Sequence, residues 1–263
     1  MKIDVLISTM NQTNVTSLIK KMNVNNCTII NQITKEKLSL VNKSNKQYKI
    51  YSFKEKGLSK SRNKAIKYSD GNICVIADDD MYYENDYIQT IKAAYKKYPD
   101  ADLIAFVVPY ETKQGKQILK EGKVNFLQSQ KIQSVQLTFK KESIIRNHIT
   151  FDEEFGAGAK YYCGEENIFM CDCMKKGLKL YFVPQKIATL SDEENSSWFK
   201  GYDIKYFKTK GAVYNRMSSL LCFPLILQFA VRKKKLYENQ FSLFEIIKIM
   251  LSGAREYRSG KKK

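Results

Sequence analysis

A chain of 263 residues that is 43% hydrophobic and 27% charged has a globular composition, which excludes a disordered or fibrous chain. Four prolines and twelve glycines exclude a proline-rich linker and a collagen-like repeat. The net charge of +18 points to polyanionic partners, and it is uneven: residues 1–199 carry 30 basic and 23 acidic side chains, residues 200–263 carry 15 and 4.

In chain order, Ile3 to Ile7 reads as a buried strand and Thr13 to Met22 as a helix. Cys27 to Ile30 and Tyr48 to Phe53 read as strands, Leu58 to Tyr68 as a helix, and Ile73 to Ala77 as another buried strand. Asn85 to Tyr98 is helical, with Ile88, Ile91, Ala94 and Tyr95 on one face and Pro99 just past the end. Leu103 to Val108 is a further strand. This alternation predicts an α/β domain on a mostly parallel sheet. Beyond it, Val135 to Phe139 reads as a strand and Lys141 to Asn147 as a short helix. Residues 151–163 read as a loop and Gly164 to Lys176 as a helix stopped by Gly177. Leu180 to Val183 reads as a strand ended by Pro184.

From Gly201 the pattern changes to basic amphipathic helices. Met217 to Val231 is free of charge and runs directly into Arg232, Lys233, Lys234 and Lys235. A spanning helix needs roughly 20 apolar residues, and this run is shorter and contains Pro224 and Gln228. Two readings stand: a helix lying in the membrane interface with its lysines among anionic head groups, or a core helix packed on the sheet. Gln240 to Leu251 is a second apolar-striped helix. Residues 216–263 are accordingly expected to form a basic helical tail on a body spanning 1–215.

Six cysteines follow an N-terminus without an apolar leader, so they are expected to be reduced thiols of a cytosolic protein. Cys163, Cys171 and Cys173 cluster with a spacing that fits no zinc pattern. His148 is the sole histidine, which disfavours Ser-His-Asp and Cys-His chemistry.

The sharpest feature is Asp78-Asp79-Asp80, directly after the strand Ile73 to Ala77. Adjacent carboxylates repel and favour a cation, and the carboxyl ends of parallel strands are where open α/β sheets bind ligands. In an extended segment Asp78 and Asp80 share a face, which suits Mg²⁺ or Mn²⁺ bound together with a diphosphate. A solvated turn is the plain alternative. Gly57-Leu58-Ser59-Lys60-Ser61-Arg62-Asn63 opens the preceding helix, where it either faces a phosphate or is simply capped by Ser59.

The order STMN (8–11), IINQ (29–32), GLSKSRN (57–63) and ADDD (77–80) resembles the nucleotide-sugar half of glycosyltransferase family 2, whose fold is GT-A. FGAGAKYYCGEENIFM (155–170) resembles that family's acceptor-side loop with its acidic pair, and SSWFKGYDIKYFKTKGA (196–212) resembles the tail segment of bacterial capsule and exopolysaccharide members. The resemblance implies a Rossmann-like nucleotide-sugar half over 1–108 and an acceptor half over 109–200. It places Ser8, Thr9, Asn31, Gly57, Arg62, Asn63, Asp78 and Asp79 at the nucleotide sugar. Asn31 stands where the family usually has a base-reading Asp. Asp80 and Asp78 are placed at the metal, Mg²⁺ or Mn²⁺.

Glu166 is the implied catalytic base, with Glu165 as its alternate. A carboxylate at a helix N-terminus suits that role. The family's later histidine has no counterpart in Ile187 to Asp192, where Asp192 or a hydroxyl is the available substitute. The implied activity is inverting transfer from a nucleotide sugar, a UDP-sugar, to a hydroxyl of a lipid-linked or growing polysaccharide. The enzyme is expected on the cytoplasmic face of an anionic membrane. Two other readings are weaker. A nucleic-acid-binding protein is opposed by the acidic triplet and the Glu pair. A sugar-nucleotide pyrophosphorylase would want a glycine-rich loop where Met10 to Asn14 stands.

Overall fold

The computed structural model describes residues 1–36, 38–39, 41–112, 119–191 and 201–261. The first part of the chain forms β1 (Ile3–Met10), α1 (Val15–Met22), β2 (Cys27–Gln32), β3 (Asn42–Ser44), β4 (Tyr48–Phe53), α2 (Leu58–Tyr68), β5 (Ile73–Asp78), β6 (Met81–Tyr83), α3 (Tyr87–Lys97) and β7 (Leu103–Val107). The remainder forms β8 (Gly122–Lys123), α4 (Phe126–Ser129), β9 (Leu137–Lys140), α5 (Lys141–Arg146), α6 (Glu165–Lys175), β10 (Leu180–Lys186), β11 (Ala188–Leu190), α7 (Ile204–Met217), α8 (Cys222–Arg232) and α9 (Leu243–Gly260).

Among the described residues nine strands make one sheet in the order β3-β4-β2-β1-β5-β9-β7-β10-β8, and β6 pairs with β11 in a small second ladder. Strands β4, β2, β1 and β5 run parallel, as do β7 and β10. Both faces of the central strands are covered, so β1 and β5 are buried along nearly their whole length rather than alternately, and the one acid within β1, Asp4, accepts from Thr28 and Ser69. One core lies on the face packed by α1 and α3, and a second lies on the face packed by α2 and α6.

Three details differ from the sequence expectation. The strand expected over Val135 to Phe139 starts later, at Leu137, after a 3₁₀ turn over Ser134–Gln136. It enters the middle of the sheet antiparallel to both β5 and β7. Pro184 does not end β10. The strand continues to Lys186, and the pairing with β7 shifts register between Phe182 and Lys186, since proline has no N–H for the ladder. The uncharged run from Met217 to Val231 is not one helix: α7 ends at Met217, and α8 starts at Cys222 with Pro224 in its first turn, where proline is tolerated.

The C-terminal helices share a core with the 151–163 loop and α6. Phe155, Tyr161, Ile168 and Cys171 pack with Phe207, Phe229, Met250 and Tyr257. The boundary expected after residue 215 therefore falls inside α7. Helices α7 and α9 cross at closest approach: a Cβ on Gly211 would lie 1.8 Å from the Met250 carbonyl oxygen, and one on Gly253 would lie 2.0 Å from that of Lys208. Arg216 ties α7 to the rest, donating from Nε to Asp152 at 2.7 Å and from Nη2 to Asp172 of α6 at 2.8 Å. All six cysteines are free and buried.

Candidate active site

The site lies at the carboxyl ends of β1 and β5, against the start of α6. Strand β5 stops at Asp78, and Asp79 and Asp80 occupy the turn into β6, so strand alternation does not set their directions. Each carboxylate has a different environment. Asp78 Oδ1 accepts from Arg62 Nη2 at 3.2 Å. Asp79 accepts from the Thr9 hydroxyl at the end of β1. Asp80 Oδ1 is buried without a hydrogen-bond partner among the described residues. Burial and then repulsion from Asp78 and Asp79 push the Asp80 carboxyl up to about 6. Burial likewise raises Asp79, against the Thr9 bond.

A buried, orphaned carboxylate oxygen beside two further carboxylates fits a divalent cation. No group of three His, Cys, Asp or Glu side chains arranged to hold a metal exists among the described residues. The chain thus offers one or two carboxylates, the donor set of a Mg²⁺-type ion that takes its other ligands from phosphate and water. Asp192 lies outside the described residues.

The GLSKSRN segment carries no Ser59 cap, since Gly57 is the N-cap and no side chain caps the helix. Its polar groups dock the 151–163 loop onto α2. Leu58 N–H donates to the Ala157 carbonyl at 2.9 Å, and the Ser59 hydroxyl donates to that of Phe155 at 2.6 Å. Asn63 brackets Phe151, donating to its carbonyl at 2.9 Å and accepting from its N–H at 2.8 Å. Gly57 N–H is held by the Gln32 side chain at 3.1 Å. The loop comes this close because residue 156 is glycine at φ 103°, where a Cβ would sit 3.1 Å from Ser59 Oγ and 3.2 Å from Glu165 Cδ.

Arg62 is only 1% exposed. Its Nη1 donates to Glu165 at 2.8 Å and its Nη2 to Asp78 at 3.2 Å and Ser134 at 2.9 Å, with the Phe151 ring 5.5 Å away. Burial alone would lower its pKa, but Asp78, Glu165 and Glu166 together raise it. Arg62 is thus a buried bridge between β5 and α6.

Two more residues offered by the sequence are engaged within the fold. Asn31 is 2% exposed, and its amide both accepts from the Gln12 N–H at 2.9 Å and donates to the Gln12 carbonyl at 2.8 Å. It shapes the turn after β1 instead of presenting a free amide to a base. Ser8 accepts from Ser61 at 2.8 Å and locks β1 to α2.

The two glutamates at the start of α6 differ sharply. Glu165 is buried and paired with Arg62. Glu166 is half-buried, and burial followed by repulsion from Glu165 pushes it up to about 7. Lys210 of α7 pulls the other way. Burial opposes the charge on Lys210, yet Cys163, Tyr206, Tyr214 and Glu166 together hold its pKa above the ordinary lysine range. Sequence reasoning missed Lys210, which stands 44 positions beyond Glu166 and is brought in only by the packing of α7 on α6. Val213, one turn further along α7, sits against Gly164, where a Cβ would lie 2.6 Å from Val213 Cγ2. His148, the sole histidine, is exposed in the turn after α5.

Known proteins agree with this architecture. The chain is similar in structure to S. aureus TarS 1-349 in complex with UDP, with 13% identity and a TM-score of 0.61 over 93% of this chain and 77% of that one. It is also similar to TarS 1-349 in complex with UDP-GlcNAc, with 12% identity and a TM-score of 0.61 over 99% and 92%. Against a longer S. aureus TarS chain the identity is 16% and the TM-score 0.59, over 81% of this chain and 39% of that one. At such identities the likeness shows the fold alone. No curated protein matches by sequence. The sequence model of glycosyl transferase family 2 matches residues 24–160, more than half of the chain, and it spans β2 through the loop that docks on α2. With that match, and with an α/β fold of GT-A type built on a large, mostly parallel sheet, the chain belongs to glycosyltransferase family 2.

Proposed function

We propose that this glycosyltransferase uses a nucleotide-sugar donor, a UDP-sugar, and transfers the sugar with inversion to a hydroxyl of a lipid-linked or polysaccharide acceptor. The observation that carries the reading is the split within the acidic pair. Glu165 is ion-paired with Arg62, while Glu166 makes no salt bridge among the described residues, and burial with repulsion from Glu165 pushes it up to about 7. Environments that drive neighbouring carboxylates apart mark acid–base assignments, and a base that titrates near the working pH is the efficient one.

In this reading Glu166 takes the proton from the acceptor hydroxyl as its oxygen bonds to the anomeric carbon. The bond from that carbon to the diphosphate oxygen breaks, and the attack from the opposite face inverts the centre. Asp80 and Asp78 would hold Mg²⁺ or Mn²⁺, which when bound supplies positive charge to the leaving diphosphate. Arg62 positions both sides without touching solvent. Thr9 and Asp79 fix the floor under the donor at the ends of β1 and β5. A UDP-sugar donor is supported by the shared fold with TarS, whose structures hold UDP and UDP-GlcNAc.

The test is a panel of nucleotide sugars with Mn²⁺ or Mg²⁺, read by calorimetry and by UDP release. One UDP-sugar should bind with metal, and Glu166→Gln should bind it equally while losing transfer. Failure of every nucleotide sugar to bind the wild-type chain refutes the assignment.

A further inference from the structure

The structure gives helix α8 two apolar faces, and only one of them is covered. Cys222, Leu225, Ile226, Phe229 and Ala230 face inward onto α7 and α9. On the outer side Phe223 is 54% exposed, Leu227 41% and Val231 59%, led by Leu220 at 90% and Leu221 at 48%. These positions recur at three- and four-residue intervals, so they form one stripe. A helix packed on a water-soluble body normally turns polar side chains outward, and a contiguous apolar patch marks a contact surface.

The charge around the stripe says what covers it. Arg232, Lys233, Lys234 and Lys235 follow it directly, all exposed, and none is in a salt bridge among the described residues. No acidic residue occurs in the sequence between Asp203 and Glu238. No helix among the described residues is long and apolar enough to cross a bilayer. An apolar stripe closed by a run of four exposed cations is the pattern of a helix that lies in an anionic lipid surface.

We infer that the outer face of α8, with Arg232 to Lys235, docks this protein on an anionic lipid bilayer. The stripe enters the acyl boundary and the four cations meet the head groups. Helix α7, whose Val213 packs on Gly164 beside Glu166, leads directly into α8. The docked helix thereby holds the acceptor side of the site close to the membrane. The inference does not depend on the identity of the donor, because lipid binding is read without turnover.

The test is sedimentation of the full chain with phosphatidylcholine vesicles containing 30% phosphatidylglycerol, beside pure phosphatidylcholine vesicles and at two salt concentrations. The protein should pellet with the anionic vesicles and stay in solution with the neutral ones. Each surface cation contributes roughly fivefold to such binding, so Lys233→Gln, Lys234→Gln, Lys235→Gln combined should weaken it at least tenfold. Phe223→Ser with Leu227→Ser should do the same independently. Both variants change exposed side chains, and unaltered thermal unfolding confirms that each is folded. Absence of binding at low salt, equal binding by both variants, or a stable dimer that either variant converts to monomer overturns the inference.

Discussion

Arg62 is the residue whose removal should cost most, and the structure gives the size of the effect. Its guanidinium is buried, and its two terminal nitrogens reach Glu165, Asp78 and Ser134. In Arg62→Met the Glu165 carboxylate stays in its buried place without a counter-charge. Breaking a buried pair in this way costs about 3–5 kcal/mol, against a total stability of about 5–15 kcal/mol for a typical domain. Arg62→Lys keeps the charge but replaces a fork by a point, so it cannot span both carboxylates. One charge-assisted hydrogen bond is lost, which corresponds to about 1.5–3 kcal/mol. Replacing the more buried pair, as in Arg62→Met with Glu165→Leu, should recover much of the stability, because the carboxylate left unpaired is then the part-exposed Asp78 alone. Urea unfolding at pH 7.5 measures the wild type, Arg62→Met, Arg62→Lys, Glu165→Leu and the double variant, provided the m-value is unchanged. A loss below about 1 kcal/mol in Arg62→Met, or a double variant that loses the sum of the two single ones, would falsify the bridge.

The remaining predictions concern the acidic pair, the metal and the C-terminal packing. Glu166 accepts a proton only when ionised, so kcat/KM should rise with pH through about 7; a flat profile from pH 5.5 to 8.5 on a soluble acceptor rules it out as base. Glu166→Gln should lower turnover by about 10²–10⁴-fold. Because folding raises this carboxyl above its unfolded value, its ionised form destabilises the protein above the folded pKa. Glu166→Gln should therefore be the more stable protein at pH 8, with the gain gone by pH 4.5, and urea midpoints at the two pH values decide. Asp80→Ala should weaken metal-dependent binding of the donor at least tenfold in calorimetry and leave the metal-free signal unchanged; an undiminished metal effect removes Asp80 from the ion. Gly211→Ala gains about 1 kcal/mol of helix propensity but drives a methyl into the Met250 carbonyl oxygen at 1.8 Å. Overpacking of about 1–3 kcal/mol or more outweighs the gain, so calorimetry should show a lower Tm, and an unchanged one refutes the close crossing.

The strands and helices of the first half were legible because each carries its own pattern. Ile3 to Ile7, apart from Asp4, and Ile73 to Ala77 are apolar on both faces, and the α3 stripe is helical in period. The use made of GLSKSRN was not legible. Ser59 and Asn63 bond to the carbonyls of Phe155 and Phe151, some ninety residues away, and a backbone carbonyl has no sequence signature. Asn31 was offered to a base on chemical grounds, yet its amide meets the Gln12 backbone instead, through a turn that no periodicity announces. Adjacent glutamates look alike in sequence, but on a helix they point about 100° apart, and burial with Arg62 separates them. The two faces of α8 were equally hidden. An uncharged run shows no polar side, so its period cannot reveal which half is covered until α7 and α9 are packed against it.

Helix α2 explains why the pieces of the site act together. Helix α2 touches β1 through Ser61 and Ser8, β5 through Arg62 and Asp78, the acceptor-side loop through Ser59 and Asn63, and α6 through Arg62 and Glu165. The end of β5, which leads into the turn that carries Asp80, and the start of α6, which carries Glu166, are therefore both referenced to one rigid element. A nucleotide sugar held at one end and a hydroxyl held at the other must meet at bonding distance, and effective molarity falls steeply with small misplacements. Three charges would be costly to bury if their only gain were stability, since an apolar core of the same volume does as well or better. Glu165 gives up its own chemistry to the Arg62 bridge, and its remaining repulsion lifts the neighbour into the range where a base works. The ion-paired glutamate thus tunes the free one, and the buried arginine sets the distance between donor and acceptor sides.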